Sequence, residues 1–107
     1  MKLYYKLVRD NIPDIISAQG KSIHLRILSD AEYLDSLNAK LDEELAEYHE
    51  SGSVEELADL LEVIYAIANA KGYPSHKLNN IRQEKAAERG RFNKKIMLLS
   101  VDEPTSY

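Results

Sequence analysis

Two helix-start signals separated by a short break constrain the fold of this chain most strongly. Ser29 with Glu32, and Ser53 with Glu56, have the spacing of a capping box, in which each of the two side chains satisfies a backbone amide at the helix start. Behind each box, apolar residues recur at spacings of three and four, which predicts one buried stripe on a helix. Because residues 51–53 leave only a short connection, we expect the two helices to fold back as an antiparallel hairpin.

The apolar stripes define the lengths of these helices. The stripe of the first long helix consists of Leu34, Leu37, Leu41, Leu45 and Tyr48. The stripe of the second consists of Leu57, Leu60, Leu61, Ile64, Tyr65, Ile67 and Ala68. A further substantial helix, closed by Gly90, is outlined by Leu78, Ile81, Lys85, Ala86 and Arg89. The fold class predicted is therefore mainly α.

Shorter elements are predicted near the termini. Residues 3–8 mix aromatic and β-branched side chains, which favours an extended segment. A short helix follows, with Asn11 as its cap and Pro13 in its first turn, and ends at Gly20. Residues 22–28 alternate between apolar and polar, which is typical of a strand. We expect one domain over residues 1–101 and a frayed tail over residues 102–107.

Composition narrows the function classes. A chain of 107 residues is enough for one domain, and its net charge of −4 argues against a general nucleic-acid binder. The absence of cysteine excludes disulfides, thiolate metal sites and a cysteine nucleophile. No segment approaches the roughly 20 apolar residues of a membrane helix, and charges interrupt the N-terminal residues before a signal-peptide core can form. We therefore expect a cytoplasmic protein that binds neither membranes nor, in a stable complex, nucleic acid.

Four acidic residues are placed to converge on the hairpin. Glu44 with Glu47, and Glu56 with Asp59, are each three residues apart, so each pair shares a helix face. The first pair ends one helix and the second begins the next, so both lie at the same level of the hairpin. Clustered carboxylates repel one another unless protons or cations intervene, and oxygen-only ligation suits Mg²⁺ or Mn²⁺. The alternative is that these acids are ordinary solvated residues of helix ends.

The acidic motif resembles that of a known superfamily. Glu43-Glu44-x-x-Glu47 followed by Glu56-x-x-Asp59 is similar to the signature of the MazG-like, all-α nucleoside triphosphate pyrophosphohydrolases. The opening Lys6-Leu7-Val8-Arg9-Asp10-Asn11-Ile12-Pro13 resembles that of the predicted house-cleaning members. Residues 81–92 also resemble the C-terminal block of those members. Together the matches cover most of the chain in order.

The resemblance implies a reaction and roles for the acids. Water would attack the α-phosphorus of a nucleoside triphosphate, giving a monophosphate and pyrophosphate. Glu44, Glu47, Glu56 and Asp59 match the superfamily's ligands for Mg²⁺, and Glu43 matches a glutamate that could orient water; Glu43, Glu44 and Glu47 are the expected catalytic residues. Superfamily members assemble through their helices, so a homodimer or homotetramer is expected.

Phosphate groups also require cations from the protein. We expect phosphate-binding side chains among Lys6, Arg9, Lys85, Arg89 and Lys94. Alternative roles remain open for each: Lys85 and Arg89 can pair with neighbouring glutamates, Arg9 can pair with the adjacent aspartate, and Lys94 can be a surface charge.

Two other functions remain open from the sequence. The same acids serve phosphoribosyl-ATP pyrophosphohydrolase, which belongs to the same superfamily. A non-catalytic, oligomeric helical interaction module would carry the acids as solvated side chains or as ligands of a structural metal.

Overall fold

The computed structural model describes residues 4–104, and its architecture is mainly α, as predicted. Four helices follow one another along this part of the chain: α1 (Ile12–Ala18), α2 (Asp30–Ser51), α3 (Val54–Ala70) and α4 (Ser75–Arg89). Helix α3 packs against both α2 and α4, whereas α2 and α4 make no contact with each other. The hairpin of α2 and α3 is therefore the centre of the molecule.

The start of α2 is the capping box that the sequence predicts. Glu32 donates its backbone N–H to Ser29 Oγ at 3.3 Å, and Ser29 donates its own N–H to Glu32 Oε1 at 3.1 Å. These two bonds and the Arg26 guanidinium, with the Ser29 amide as the largest cause, lower the pKa of the Glu32 carboxyl. At the other end of α2, Gly52 has a φ of 67° and closes the helix by donating to the carbonyl of Tyr48 at 2.7 Å.

The second predicted capping box forms only in part. Ser53 Oγ accepts the backbone N–H of Glu56 at 3.4 Å, as expected. The reciprocal bond from the Ser53 amide goes instead to Ser51 Oγ, at 3.2 Å. Because Ser51 satisfies that amide, the Glu56 carboxylate is not used as a cap and turns to the acidic cluster described below.

The core of the hairpin is small. Among the described residues, the buried apolar side chains are Leu37 of α2, 3% exposed, and Val63 of α3, 8% exposed. Leu37 belongs to the predicted stripe, but Val63 does not. The predicted stripe of α3 includes the half-buried Leu60, Ile64 and Ile67 but omits Val63, because apolar positions extend around the helix and periodicity alone does not show which arc faces α2.

The molecule is elongated. Its radius of gyration is 19.9 Å and its extents are 76 × 32 × 23 Å. A compact domain of this length has a radius of gyration of about 13 Å. Much apolar surface is consequently left for contacts beyond the hairpin.

The extended elements predicted near the N-terminus do not form strands. Residues 4–9 and 21–29 have no regular secondary structure, and none of the described residues forms a strand. Residues 22–28 have no neighbouring strand among the described residues, so their backbone groups lack the hydrogen-bond partners that a sheet requires. In the first segment, Tyr5 has a φ of 47°, which interrupts an extended backbone.

Helix α1 begins and ends close to its predicted positions. Pro13 lies in the first turn, but the side chain of Asn11 makes no capping hydrogen bond. The Asn11 carbonyl instead accepts the backbone N–H of Ile15 at 3.1 Å. In the predicted tail, residues 102–104 have no regular secondary structure; Leu3 and residues 105–107 lie outside the described residues.

No helix in the described part of the chain is both long enough and apolar enough to cross a membrane.

The buried position of Leu37 gives a stability prediction. Replacing Leu37 by Ala leaves a cavity in the α2–α3 seam and should lower the free energy of unfolding by roughly 2–5 kcal/mol. Leu45→Ala is the matched control, because Leu45 belongs to the same predicted stripe but is 41% exposed. Denaturant unfolding monitored by circular dichroism should show a clearly smaller loss for Leu45→Ala. Equal losses at the two positions would show that the α2–α3 contact is not as described.

Candidate metal centre

The acidic residues occupy positions on the helix faces that form the hairpin seam. Glu44 follows Leu37 by seven residues on α2, and Glu56 precedes Val63 by seven residues on α3. Residues seven apart lie on the same helix face, two turns away from each other. The seam is therefore apolar at Leu37 and Val63 and acidic at the end near the α2–α3 connection.

Two groups of carboxylates meet at this end of the hairpin. Glu44, Glu56 and Asp59 place one oxygen each within 4.8 Å of one another. Glu43, Glu44 and Glu47 do the same along α2. Glu44 belongs to both groups and is the only buried charged residue among those described, at 7% exposed. It joins the two groups into one acidic cluster.

The spacing within the cluster suits a hard divalent cation. Oxygen ligands bind such ions at about 2.0–2.6 Å, so opposite ligands are separated by roughly 4–5 Å. Oxygens that all lie within 4.8 Å of one another can therefore surround one ion after small side-chain adjustments. The ligand set contains only carboxylate oxygen, which favours Mg²⁺, Mn²⁺ or Ca²⁺ over zinc or copper.

Two carboxylate oxygens in the cluster lack any hydrogen-bond partner. Glu44 Oε2 and Glu56 Oε2 are both buried and unsatisfied. A buried acceptor without a partner costs about 1–3 kcal/mol, and more when the group is charged. A cation bound between these residues would remove that cost.

The environment of Glu44 opposes its ionisation. Burial raises the pKa of the Glu44 carboxyl above its ordinary value, and the adjacent Glu47 carboxyl raises it further. Asp59 adds a smaller repulsion, while Lys40 acts in the opposite direction. The positive charge beside Glu44 is therefore too small to offset its burial and its acidic neighbours.

Three cationic side chains contact the cluster at its edge. Lys40 Nζ lies 3.5 Å from one oxygen each of Glu43 and Glu44, and Lys6 Nζ lies 3.4 Å from Glu43. Arg9 Nη2 lies 2.8 Å from Asp59 Oδ1. The cluster contains five carboxylates, so these three cations leave two negative charges unbalanced. One divalent ion would balance them.

The structure brings some of the expected phosphate-binding residues to the cluster and leaves others apart. Lys6 and Arg9 lie against it, and Arg9 pairs with Asp59 rather than with its neighbour Asp10. Lys85, Arg89 and Lys94 are exposed, and none of them makes an ion pair within the described part of the chain. The alternative of salt bridges from α4 to its own glutamates is therefore not observed.

Lys40 is a site residue that the sequence reasoning missed. It precedes Glu43 by three residues and Glu44 by four, which is the spacing of ion pairs along one helix face. That spacing was readable from the sequence.

Comparisons with known proteins leave the family open. No protein-family model matches the chain, and no solved structure matches it. A protein of Mycolicibacterium smegmatis, described only as uncharacterised, is 57% identical over 42 residues. That match covers 39% of this chain and 43% of the relative, so the two align over less than half of either length.

The raised pKa of Glu44 predicts a pH dependence for the metal-free protein. The folded state holds the Glu44 proton more tightly than the unfolded state, so this residue makes stability fall as pH rises from the ordinary glutamate pKa through the raised one. In the presence of a chelator, Glu44→Gln should therefore melt at a higher temperature than the original chain at pH 7. The difference should shrink as the pH is lowered towards 4.

Glu50→Gln, the same change at an exposed position of α2, should not reproduce this effect. A Glu44→Gln protein that is less stable than the original chain at pH 7 would contradict the prediction.

A thermal-shift titration tests whether the cluster binds a metal. Mg²⁺ or Mn²⁺ should raise the melting temperature of the original chain, because an ion that binds only the folded state stabilises it by mass action. Glu47→Gln and Asp59→Asn should abolish or strongly reduce the shift, whereas Glu50→Gln should retain it. An equal shift in all four proteins would place metal binding elsewhere.

Proposed function

We propose that this chain is a cytoplasmic, Mg²⁺-dependent nucleoside triphosphate pyrophosphohydrolase of the MazG-like superfamily. Its substrate would be a non-standard nucleoside triphosphate, and its products a nucleoside monophosphate and pyrophosphate, as in house-cleaning enzymes. The observation that carries the proposal is the burial of Glu44 among Glu47, Glu56 and Asp59, with unsatisfied oxygens on Glu44 and Glu56. A solvated set of helix-end acids would not be buried in this way.

The acidic cluster supplies the ligands for the ion. Glu44, Glu47, Glu56 and Asp59 would hold Mg²⁺, with Mn²⁺ as a possible replacement. The bound ion would act as a Lewis acid on the phosphate oxygens and offset the charge that develops during hydrolysis. Mg²⁺ is octahedral, so four carboxylates that each give one oxygen would leave two of about six positions for water and substrate phosphates.

The N-terminal segment supplies cations for the phosphates. Lys6 lies beside Glu43, and Arg9 lies beside Asp59, so both are already at the edge of the cluster. Lys6, Lys40 and Glu43 also line a cleft of about 130 Å³ between this segment and α2. When Asp59 serves as a ligand, Arg9 would exchange that carboxylate for a phosphate, which a guanidinium binds through two parallel hydrogen bonds.

Glu43 is suited to act on the attacking water. Its carboxylate lies at the outer side of the cluster and faces Lys6 and Lys40. It would accept a proton while the water oxygen forms a bond to the α-phosphorus. The bond between that phosphorus and the oxygen bridging to the β-phosphorus breaks, and pyrophosphate leaves with the electron pair.

Lys85, Arg89 and Lys94 have a different place in the proposal. They make no ion pair with the described acids of their own chain, so in a homodimer or homotetramer they would serve the phosphates bound by another subunit. This contribution accounts for basic residues that make no ion pair with the described residues of their own chain.

An assay of pyrophosphate release tests the proposed reaction. The purified protein with Mg²⁺ should release pyrophosphate and a monophosphate from at least one member of a panel of standard and modified nucleoside triphosphates. Glu47→Gln should lower kcat/KM by at least about 100-fold, because it removes a metal ligand. Glu50→Gln, which makes the same change outside the cluster, should retain activity.

The outcomes separate the proposal from its alternatives. Activity confined to phosphoribosyl-ATP would assign the same site to histidine synthesis. No activity on any substrate with either Mg²⁺ or Mn²⁺ would refute the enzyme and favour a non-catalytic helical module.

A further inference from the structure

A strongly apolar arm follows α4. The C-terminal arm, residues 91–104, leaves the helix at Gly90 and contains no helix or strand. Four consecutive large apolar side chains within it are almost entirely exposed: Ile96 at 78%, Met97 at 79%, Leu98 at 74% and Leu99 at 89%. Burying a side chain of this kind is worth about 1.5–3 kcal/mol, so leaving four in water is costly.

An apolar groove lies between α3 and α4. This α3–α4 groove has a volume of about 310 Å³. Its apolar lining consists of Ile64, Ile67, Ala68, Tyr73, Leu78 and Ile81. Because a cavity of about 150 Å³ accommodates a benzene molecule, the groove has room for roughly two or three aliphatic side chains.

We propose that the α3–α4 groove binds the C-terminal arm of a second copy of this chain, and that the exchange is reciprocal. In an extended arm, Ile96 and Leu98 point to one side, so both can enter the groove together. Met97 and Leu99 point to the other side and would pack across the partner's arm or helices. Two identical contacts related by a twofold axis close the assembly as a dimer.

The arm is poorly placed to fill the groove of its own chain. The α4 part of the groove is formed by Leu78 and Ile81, whereas the arm begins after Gly90, more than two helical turns farther along. To place the arm in the groove of its own chain, residues 91–95 would have to run back along α4 over this distance. They already include a turn, in which the Lys95 backbone N–H donates to the Phe92 carbonyl at 3.3 Å. Exchange between two copies avoids that reversal.

The accessible surface area of the chain is large enough for an interface with a second copy. Its accessible surface is 9876 Å², whereas a compact monomer of its mass has roughly 6,000 Å². The excess is on the order of 4,000 Å² per chain, so two chains have more than enough surface for the roughly 2,000–5,000 Å² that the two partners of an obligate homodimer bury in total. A small peptide ligand would leave most of it exposed.

The absence of cysteine makes the exchange directly testable. Two single-cysteine chains of different mass, Leu98→Cys in the arm and Ala68→Cys in the groove, are mixed and oxidised gently with glutathione disulfide. The expected product is a disulfide-linked heterodimer that forms at least tenfold faster than with Ala46→Cys, an exposed alanine of α2 outside the groove. Equal rates with Ala68→Cys and Ala46→Cys would overturn the proposal.

A chain carrying both substitutions distinguishes exchange from folding back. Linked dimers are expected when it is oxidised; a disulfide formed within one monomer would show that the arm occupies its own groove.

Sedimentation gives a second test. Leu98→Asp should weaken dimerisation at least tenfold while the helical circular dichroism signal persists, whereas the volume-conserving Leu98→Met should leave it nearly unchanged. A Leu98→Asp protein that dimerises normally would refute the contact.

Discussion

The burial of the Glu44 carboxylate in the α2–α3 seam constrains the rest of this structure. A helical hairpin with so few buried apolar residues gains little from hydrophobic contact, and here a charged group occupies a place on the buried face. Such a residue is tolerated when it is protonated, paired or bound to metal. Lys40 supplies part of the compensation, and the unsatisfied oxygens of Glu44 and Glu56 show that the compensation from the protein alone is incomplete.

The N-terminal segment is tied to the hairpin by the same electrostatics. Lys6 and Arg9 reach opposite helices of the hairpin, at Glu43 and Asp59, and so hold the segment across the acidic end. Both ion pairs are exposed, and exposed pairs contribute little to stability. Their weakness suits the proposed exchange of a carboxylate for a substrate phosphate. The proposed arm exchange uses Ile64, Ile67 and Ala68, which lie farther along α3 than Glu56 and Asp59, so assembly and metal binding use different parts of one helix.

Local sequence signals predicted the helices well because helix starts and ends depend on nearby residues. The Ser29 capping box and the Gly52 helix end are both set within one turn of the chain. The strand predicted over residues 22–28 was wrong because a strand requires a distant partner, which local alternation does not reveal. Val63 was missed as a core residue for a similar reason: only the approach of α2 determines which side of α3 is buried. For the site, spacing predicted the convergence of the acids, but not the Arg9–Asp59 pair, which joins residues fifty positions apart.

The most direct test of the central claim is to locate the ion itself. Crystals grown with Mn²⁺ should give an anomalous difference peak between α2 and α3, within about 2.6 Å of carboxylate oxygens from Glu44 and from Glu56 or Asp59. A peak there, with Arg9 moved away from Asp59, is the expected result. Diffraction of good quality with no peak at the hairpin, and with Glu44 still buried without a cation, would contradict it.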